Sequence, residues 1–322
     1  MRPAGSLLAL GGFVLALAGC PSSPSSPLPG PEPGAAPTSA SPSQASSLAR
    51  ARAVRDALKP LQRPLPPRRK GDWLERTREL GQSFEEWLEA EPTLARGKRR
   101  VLYVQPIGPF SPQQRKLVNL CRDYLARCYG LQTRLLEPLG LEHVPAKARR
   151  VHPSWKVKQL LSTYLLDSLL APRLPADAAA LIGFTAVDLY PEPSWNFVFG
   201  QASLRQRVGV WSLYRHGDPA GGAEAFRTCL RRTLQTAVHE TGHMFSIQHC
   251  TAYACVLGGS NSLSESDRQP LWLCAEDTAK VLVATGADPQ QRVRTLEAFC
   301  REQGLSAAAD HQAEALKRLA PP

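Results

Sequence analysis

The chain has 322 residues, 43% of them hydrophobic, and a formal net charge of +11 at pH 7. Outside its first twenty residues no stretch approaches the roughly 20 consecutive apolar residues that cross a bilayer. The basic excess contains no aromatic-interleaved motif and no recognition helix, which argues against a nucleic-acid partner.

In chain order, residues 1–19 read as a bacterial lipoprotein signal peptide. Arg2 supplies the basic start, Leu7 to Leu15 a short apolar run, and Leu17-Ala18-Gly19-Cys20 a cleavage site that leaves the Cys20 thiol to carry lipid. The expected location is the cell envelope, anchored to a bacterial membrane and facing the periplasm or exterior. Residues 20–48, dominated by Pro, Ser, Ala and Gly, cannot bury a core and predict an extended tether. Residues 49–97 predict a basic helical extension packing on the core. Basic runs in it and just after it, Arg68-Arg69-Lys70 and Lys98-Arg99-Arg100, suit either a solvated face or contact with anionic lipid and envelope polymer. Within it, Gly71 to Pro92 predicts a helix whose apolar side is Trp73, Leu74, Leu80, Phe84, Trp87 and Leu88.

Residues 98–322 alternate strand and helix patterns and predict an α/β (α+β) domain. Val101 to Ile107 is a continuous apolar run, hence a buried strand. Ser111-Pro112 starts a helix, with Ser as N-cap and Pro in the first helical position. Cys121 and Cys128 lie on it about 10 Å apart along the axis, too far to bond to each other. A strand at Thr133 to Leu136, a helix near Lys156 to Leu170 and a strand around Ala179 to Val187 follow. Asp188 to Ala202 combines two prolines with a short apolar segment, as an exposed sheet edge would. Val208 to Leu213 predicts the neighbouring strand, and a Gly-rich loop, Gly217 to Gly222, precedes a long helix from Glu224. Beyond it, Val281-Leu282-Val283, an Asp288-Pro289 helix start and Ala307 to Leu319 predict a helical C-terminal subdomain closing the floor of the site. No internal repeat is evident.

The long helix carries the chemistry. Phe226, Leu230, Leu234 and Val238 are spaced to face the core, and His239 and His243 then lie one turn apart on one face, where both imidazoles reach one ion. Glu240 is rotated by about 100° from His239, so its carboxylate can serve a metal-activated water as general base without ligating. A continued helix would leave His249 about 9 Å beyond His243. It can therefore join the same ion only if the chain turns back.

The stretch from His239 to Asp277 closely resembles the archaemetzincin family of zinc peptidases. In that family the third His is followed by Cys-x4-Cys-x-Met and, further on, Cys-x-x-Cys; here these positions are Cys250, Cys255, Leu257, Cys274 and Asp277. Ser246 replaces the family's turn Gly, Leu257 its Met and Asp277 its fourth Cys. The resemblance, which also takes in Asp188 to Ala202, implies a metzincin-like twisted mixed sheet with an edge strand at the substrate cleft. It implies one catalytic Zn2+ on His239, His243 and His249, and a second, structural one on Cys250, Cys255 and Cys274, with Asp277 in the fourth place. A carboxylate oxygen binds zinc at about the length of an imidazole nitrogen, so such a site is chemically sound. Leu257, close to Met in volume, can serve as an apolar floor.

Eight cysteines, less a lipidated Cys20, leave seven in a compartment where thiols oxidise. A zinc cluster would protect some; a disulfide among Cys229, Cys250, Cys255, Cys274 and Cys300 is the alternative. The residues together predict a membrane-anchored zinc metallopeptidase acting on a peptide or protein. The competing expectation is a catalytically impaired zinc lipoprotein that binds peptides or partners.

Overall fold

The computed structural model describes residues 42–320. The expected signal peptide, Cys20 and the tether up to residue 41 lie outside the described residues. Chain order from there begins with helix α1, Pro42–Leu58, so the expected tether gives way to helix before residue 48. The Ala- and Arg-rich composition of this stretch favours helix. Ala51, Val54 and Leu58 seal it by burial.

The helix expected over Gly71 to Pro92 is instead two short ones, α2 (Trp73–Arg76) and α3 (Phe84–Glu89), joined by a non-helical strap. Gly81 in the strap has φ +77, a left-handed conformation, and a Cβ there would meet Thr251 Oγ1 at 2.3 Å. Ser83 then restarts the helix with a capping box to Glu86. The aromatic residues dock as expected, with Trp73, Phe84 and Trp87 buried, whereas Leu80 is 90% exposed.

The main sheet comprises β1 (Val101–Ile107), β2 (Gln132–Leu135), β5 (Ala178–Thr185), β7 (Gly200–Ala202) and β8 (Val208–Ser212), in the order β2-β1-β5-β8-β7. All neighbours run parallel except β7, an edge strand antiparallel to β8. Both faces are covered, so β1 is buried along its whole length. Leu102 and Val104 point to the side of α4 (Pro112–Tyr129) and α6 (Ala223–Met244), and Val101 and Tyr103 to a second apolar layer with Leu165, Leu166 and Leu169. Ser111 caps α4 through a capping box with Gln114, as its Ser-Pro start predicts.

A small second sheet holds β3 (Arg149–Val151), β4 (Lys158–Leu161) and β6 (Asp188–Tyr190). The helix expected from Lys156 therefore begins only at Ser162, with α5 (Ser162–Tyr164) and a wide turn through Leu165–Leu170. Gln159 explains the strand: its amide donates to Asp188 Oδ2 and to the Asn196 carbonyl, fastening β4 beside β6.

After α6 come the one-turn α7 (Leu263–Ser266), then α8 (Ala275–Thr285), α9 (Pro289–Glu302) and α10 (Ser306–Leu319). Asp288 caps α9 by accepting from the Gln291 N–H. α9 and α10 pack on each other and on α4 and α1. Leu257, expected as an apolar floor, is fully buried against Gly242 of α6.

Candidate metal centre and active site

Helix α6 ends in a complete Schellman turn. The Ile247 N–H bonds to the Gly242 carbonyl at 3.2 Å and the Ser246 N–H to the His243 carbonyl at 2.8 Å. Ser246 occupies the left-handed position, with φ +61. Its hydroxyl is held on both sides, donating to the Leu204 carbonyl at 2.9 Å and accepting from the Thr93 N–H at 3.1 Å. The Trp87 indole donates to the Phe245 carbonyl, satisfying another group exposed by the helix end. The chain thereby reverses and returns His249 to the face that carries His239 and His243.

The three rings meet with centroids 4.6, 5.1 and 5.1 Å apart. Each Nδ1 is engaged away from the centre: His239 with the Val256 carbonyl at 2.9 Å, His243 with the Ile247 carbonyl at 2.7 Å, and His249 with the Glu79 carboxylate at 2.9 Å. Acceptors at all three Nδ1 positions assign the proton there and leave the Nε2 lone pairs facing inward. His239 Nε2 and His243 Nε2 are 3.0 Å apart, and His249 Nε2 is buried without a partner. A tetrahedral zinc–nitrogen shell has an N···N edge of about 3.3 Å. Three converging, otherwise unsatisfied nitrogens thus fit zinc well.

Electrostatics point the same way. Burial, together with repulsion from its two neighbours, holds His239 well below the usual imidazole range. Burial and then His249 push His243 down to about 3. Neutral imidazole is the form that ligates a metal. Glu240 is also buried, and burial pushes its carboxyl up to about 8. A divalent cation among the three rings would oppose that shift by attraction. Its Oε1 has no hydrogen-bond partner. The carboxylate lies against Gly200 of the edge strand, where a Cβ would come within 2.9 Å of Glu240 Oε1. A small cavity beside it is lined by Phe199, Thr236, His239, Val256 and Ser260.

The cysteine cluster forms nearby. Cys250 Sγ and Cys274 Sγ are 3.8 Å apart, and Asp277 Oδ2 lies 3.2 Å from Cys255 Sγ and 3.3 Å from Cys274 Sγ. With Zn–S near 2.3 Å, tetrahedral S···S and S···O edges are about 3.8 and about 3.5 Å. The four donors could therefore hold a metal ion, and all lie within 4.8 Å of one another. Backbone N–H groups of Leu257 and Cys274 point at Cys255 Sγ. All seven described cysteines are free thiols, which corrects the disulfide alternative. Hydrogen bonds from Cys255 and Cys274 draw the Cys250 thiol down, while burial pushes Cys255 up.

All eight site residues expected from the sequence thus fall into two clusters. Three contributors were not foreseen: Glu79, which orients His249; Gly200, which makes room for Glu240; and Lys280, which pairs with Asp277 at 2.9 Å. Glu79 carried no signal, since it sits on a strap read as helix and its partner is 170 positions away.

A model of Peptidase family M54 matches residues 158–282. Archaemetzincin-2 of Mus musculus is 30% identical over 292 residues, covering 79% of this chain and 81% of the relative. Archaemetzincin-2 of Homo sapiens is 32% identical over 260 residues, covering 70% and 71%. Archaemetzincin of Pyrococcus abyssi is 34% identical over 166 residues, covering 51% and 85%. A crystal structure of archaemetzincin from Methanopyrus kandleri aligns with a TM-score of 0.45 and 26% identity, covering 58% of this chain and 95% of that one. The likeness to full-length relatives spans both clusters and most of the described residues, and so the chain belongs to the archaemetzincin family of zinc metallopeptidases.

Proposed function

We propose that the protein hydrolyses peptide bonds at a zinc ion held by His239, His243 and His249, with Glu240 as general base. The observation that carries this reading is the inward convergence of three Nε2 atoms, each ring fixed by an acceptor at its Nδ1. When bound, zinc supplies Lewis acidity, making a water acidic near neutrality and polarising the scissile carbonyl. Glu240 takes the proton from the attacking water onto its carboxylate and delivers it to the leaving amine. Its burial keeps bulk water from competing for that proton. Glu240 lies beside Gly200 of β7, an edge strand that pairs on one side with β8 and, contrary to the exposed edge expected, is buried at Gly200, Gln201 and Ala202.

Cys250, Cys255, Cys274 and Asp277 hold a second, structural zinc in this reading, which favours their spacing over that of packed, unrelated thiols. Lipid on Cys20 anchors the enzyme at a bacterial cell envelope.

Replacement of Glu240 by Gln tests the catalytic assignment. Zinc per chain should be unchanged while cleavage of a mixed peptide library disappears. A wild-type chain that holds zinc at the His cluster but cleaves nothing would instead be the impaired, partner-binding lipoprotein. Labelled palmitate should enter the wild type and not Cys20→Ala.

A further inference from the structure

Asp277 stands one helical turn after Cys274 at the start of α8. Unlike a thiolate, a carboxylate has two oxygens and can swing or chelate, so something must select one of them if it is to act as a single ligand. The two oxygens have different surroundings here. Oδ2 faces Cys255 and Cys274, whereas Oδ1 lies 2.9 Å from Nζ of Lys280, the next residue on the same helix face. Lys280 is 1% exposed, and its ammonium also donates to the Gln82 carbonyl of the strap at 2.5 Å. A buried ammonium is costly unless an anion and further acceptors surround it, and these two groups are what the interior provides.

We propose that Lys280 selects the ligating oxygen of Asp277 in the cysteine cluster. It fixes Oδ1, so that Asp277 presents Oδ2 alone to the metal. The inference rests on the proposed structural zinc. It implies that Asp277 and Lys280 work as a pair: with Cys at 277 the ammonium would lose its oxygen partner and remain buried beside a softer, differently placed ligand.

A cycle of full-length, zinc-loaded variants tests this, read as zinc per chain after dialysis and as zinc affinity by chelator competition. The wild type should hold two zinc ions. Lys280→Met should weaken the cysteine site by about ten- to a hundredfold, the usual effect of removing a group that orients a ligand. Asp277→Cys alone should also weaken it, whereas Asp277→Cys with Lys280→Met should recover affinity to within about threefold of the wild type. If Lys280 served only to hold Gln82, its removal would be equally harmful in both backgrounds, and that result overturns the pairing. An unchanged affinity in Lys280→Met overturns it too. Should Lys280→Met fail to fold, the double variant decides: two ions at near wild-type affinity support the pairing, and loss of the second refutes it. A wild type holding a single ion at the His cluster removes the structural zinc itself, an outcome distinct from failure of the pairing.

Discussion

Replacing Ser246 by Gly, the residue the family uses at this turn, should destabilise the protein rather than help it. The left-handed backbone, φ +61, costs Ser about 1 kcal/mol that Gly would not incur. Against that, the Ser246 hydroxyl bonds the Leu204 carbonyl and accepts from the Thr93 N–H, and each such bond contributes about 1 kcal/mol net. Loss of about 2 and relief of about 1 leave Ser246→Gly about 1 kcal/mol less stable, or about 2–4 °C lower in Tm for a domain of this size. Ser246→Ala keeps the backbone cost and loses both bonds, so it should fall by about 2 kcal/mol. Urea titration of zinc-loaded protein, comparing the three chains at matched m-values, measures both differences. A Gly variant as stable as the wild type, or an Ala variant equal to the Gly variant, would refute the balance.

Glu79→Ala should lower zinc affinity at the His cluster by about ten- to a hundredfold, because His249 loses the carboxylate that fixes its ring; chelator competition reads this, and unchanged affinity would remove Glu79 from the site. Gly200→Ala should leave zinc content intact yet slow peptide cleavage by about a hundredfold, since a Cβ there displaces the Glu240 carboxylate or the edge strand; full activity with the zinc retained would contradict that crowding. His216, buried between Thr233 and Thr236, is held down to about 3 from 6.5, chiefly by burial. Above pH 6.5 the ring is neutral in folded and unfolded chains, and as pH falls towards 3 only the unfolded chain gains the proton. Stability should therefore drop by about 1.4 kcal/mol per pH unit from this group alone. In His216→Gln, denaturation midpoints between pH 6.5 and 4 should show a correspondingly shallower slope, and an unchanged slope would exclude His216 as a source of acid lability.

The contrast between His243 and Glu79 shows how far a linear reading reaches. His239, Glu240 and His243 are related by the 3.6-residue period of one helix, so their common face follows from spacing alone. The N-caps at Ser111 and Asp288 were equally local, each needing only the residue and its neighbours within one turn. The strap around Glu79 was misread because its apolar residues mimic a helical stripe, while Gly81 in a left-handed turn breaks the helix between Trp73 and Phe84. β4 was misread for a related reason: the leucines beyond it have helical spacing, but Gln159 gains more by bonding across to Asp188 and Asn196.

By itself the sequence determined the His239–His243 pair, the general-base candidate and the need for a reversal after His243, because local geometry dictates each of these, whereas the cysteine set followed from the family resemblance. Only the tertiary structure decided which groups aim those donors. Glu79 reaches His249 across 170 positions, Gly200 admits Glu240 from another strand, and Lys280 grips both Asp277 and the strap. Hydrogen bonds and close contacts of that kind depend on distance in space, which carries no periodic mark along the chain, and so they become visible only once the sheet, the helix end and the strap are packed together.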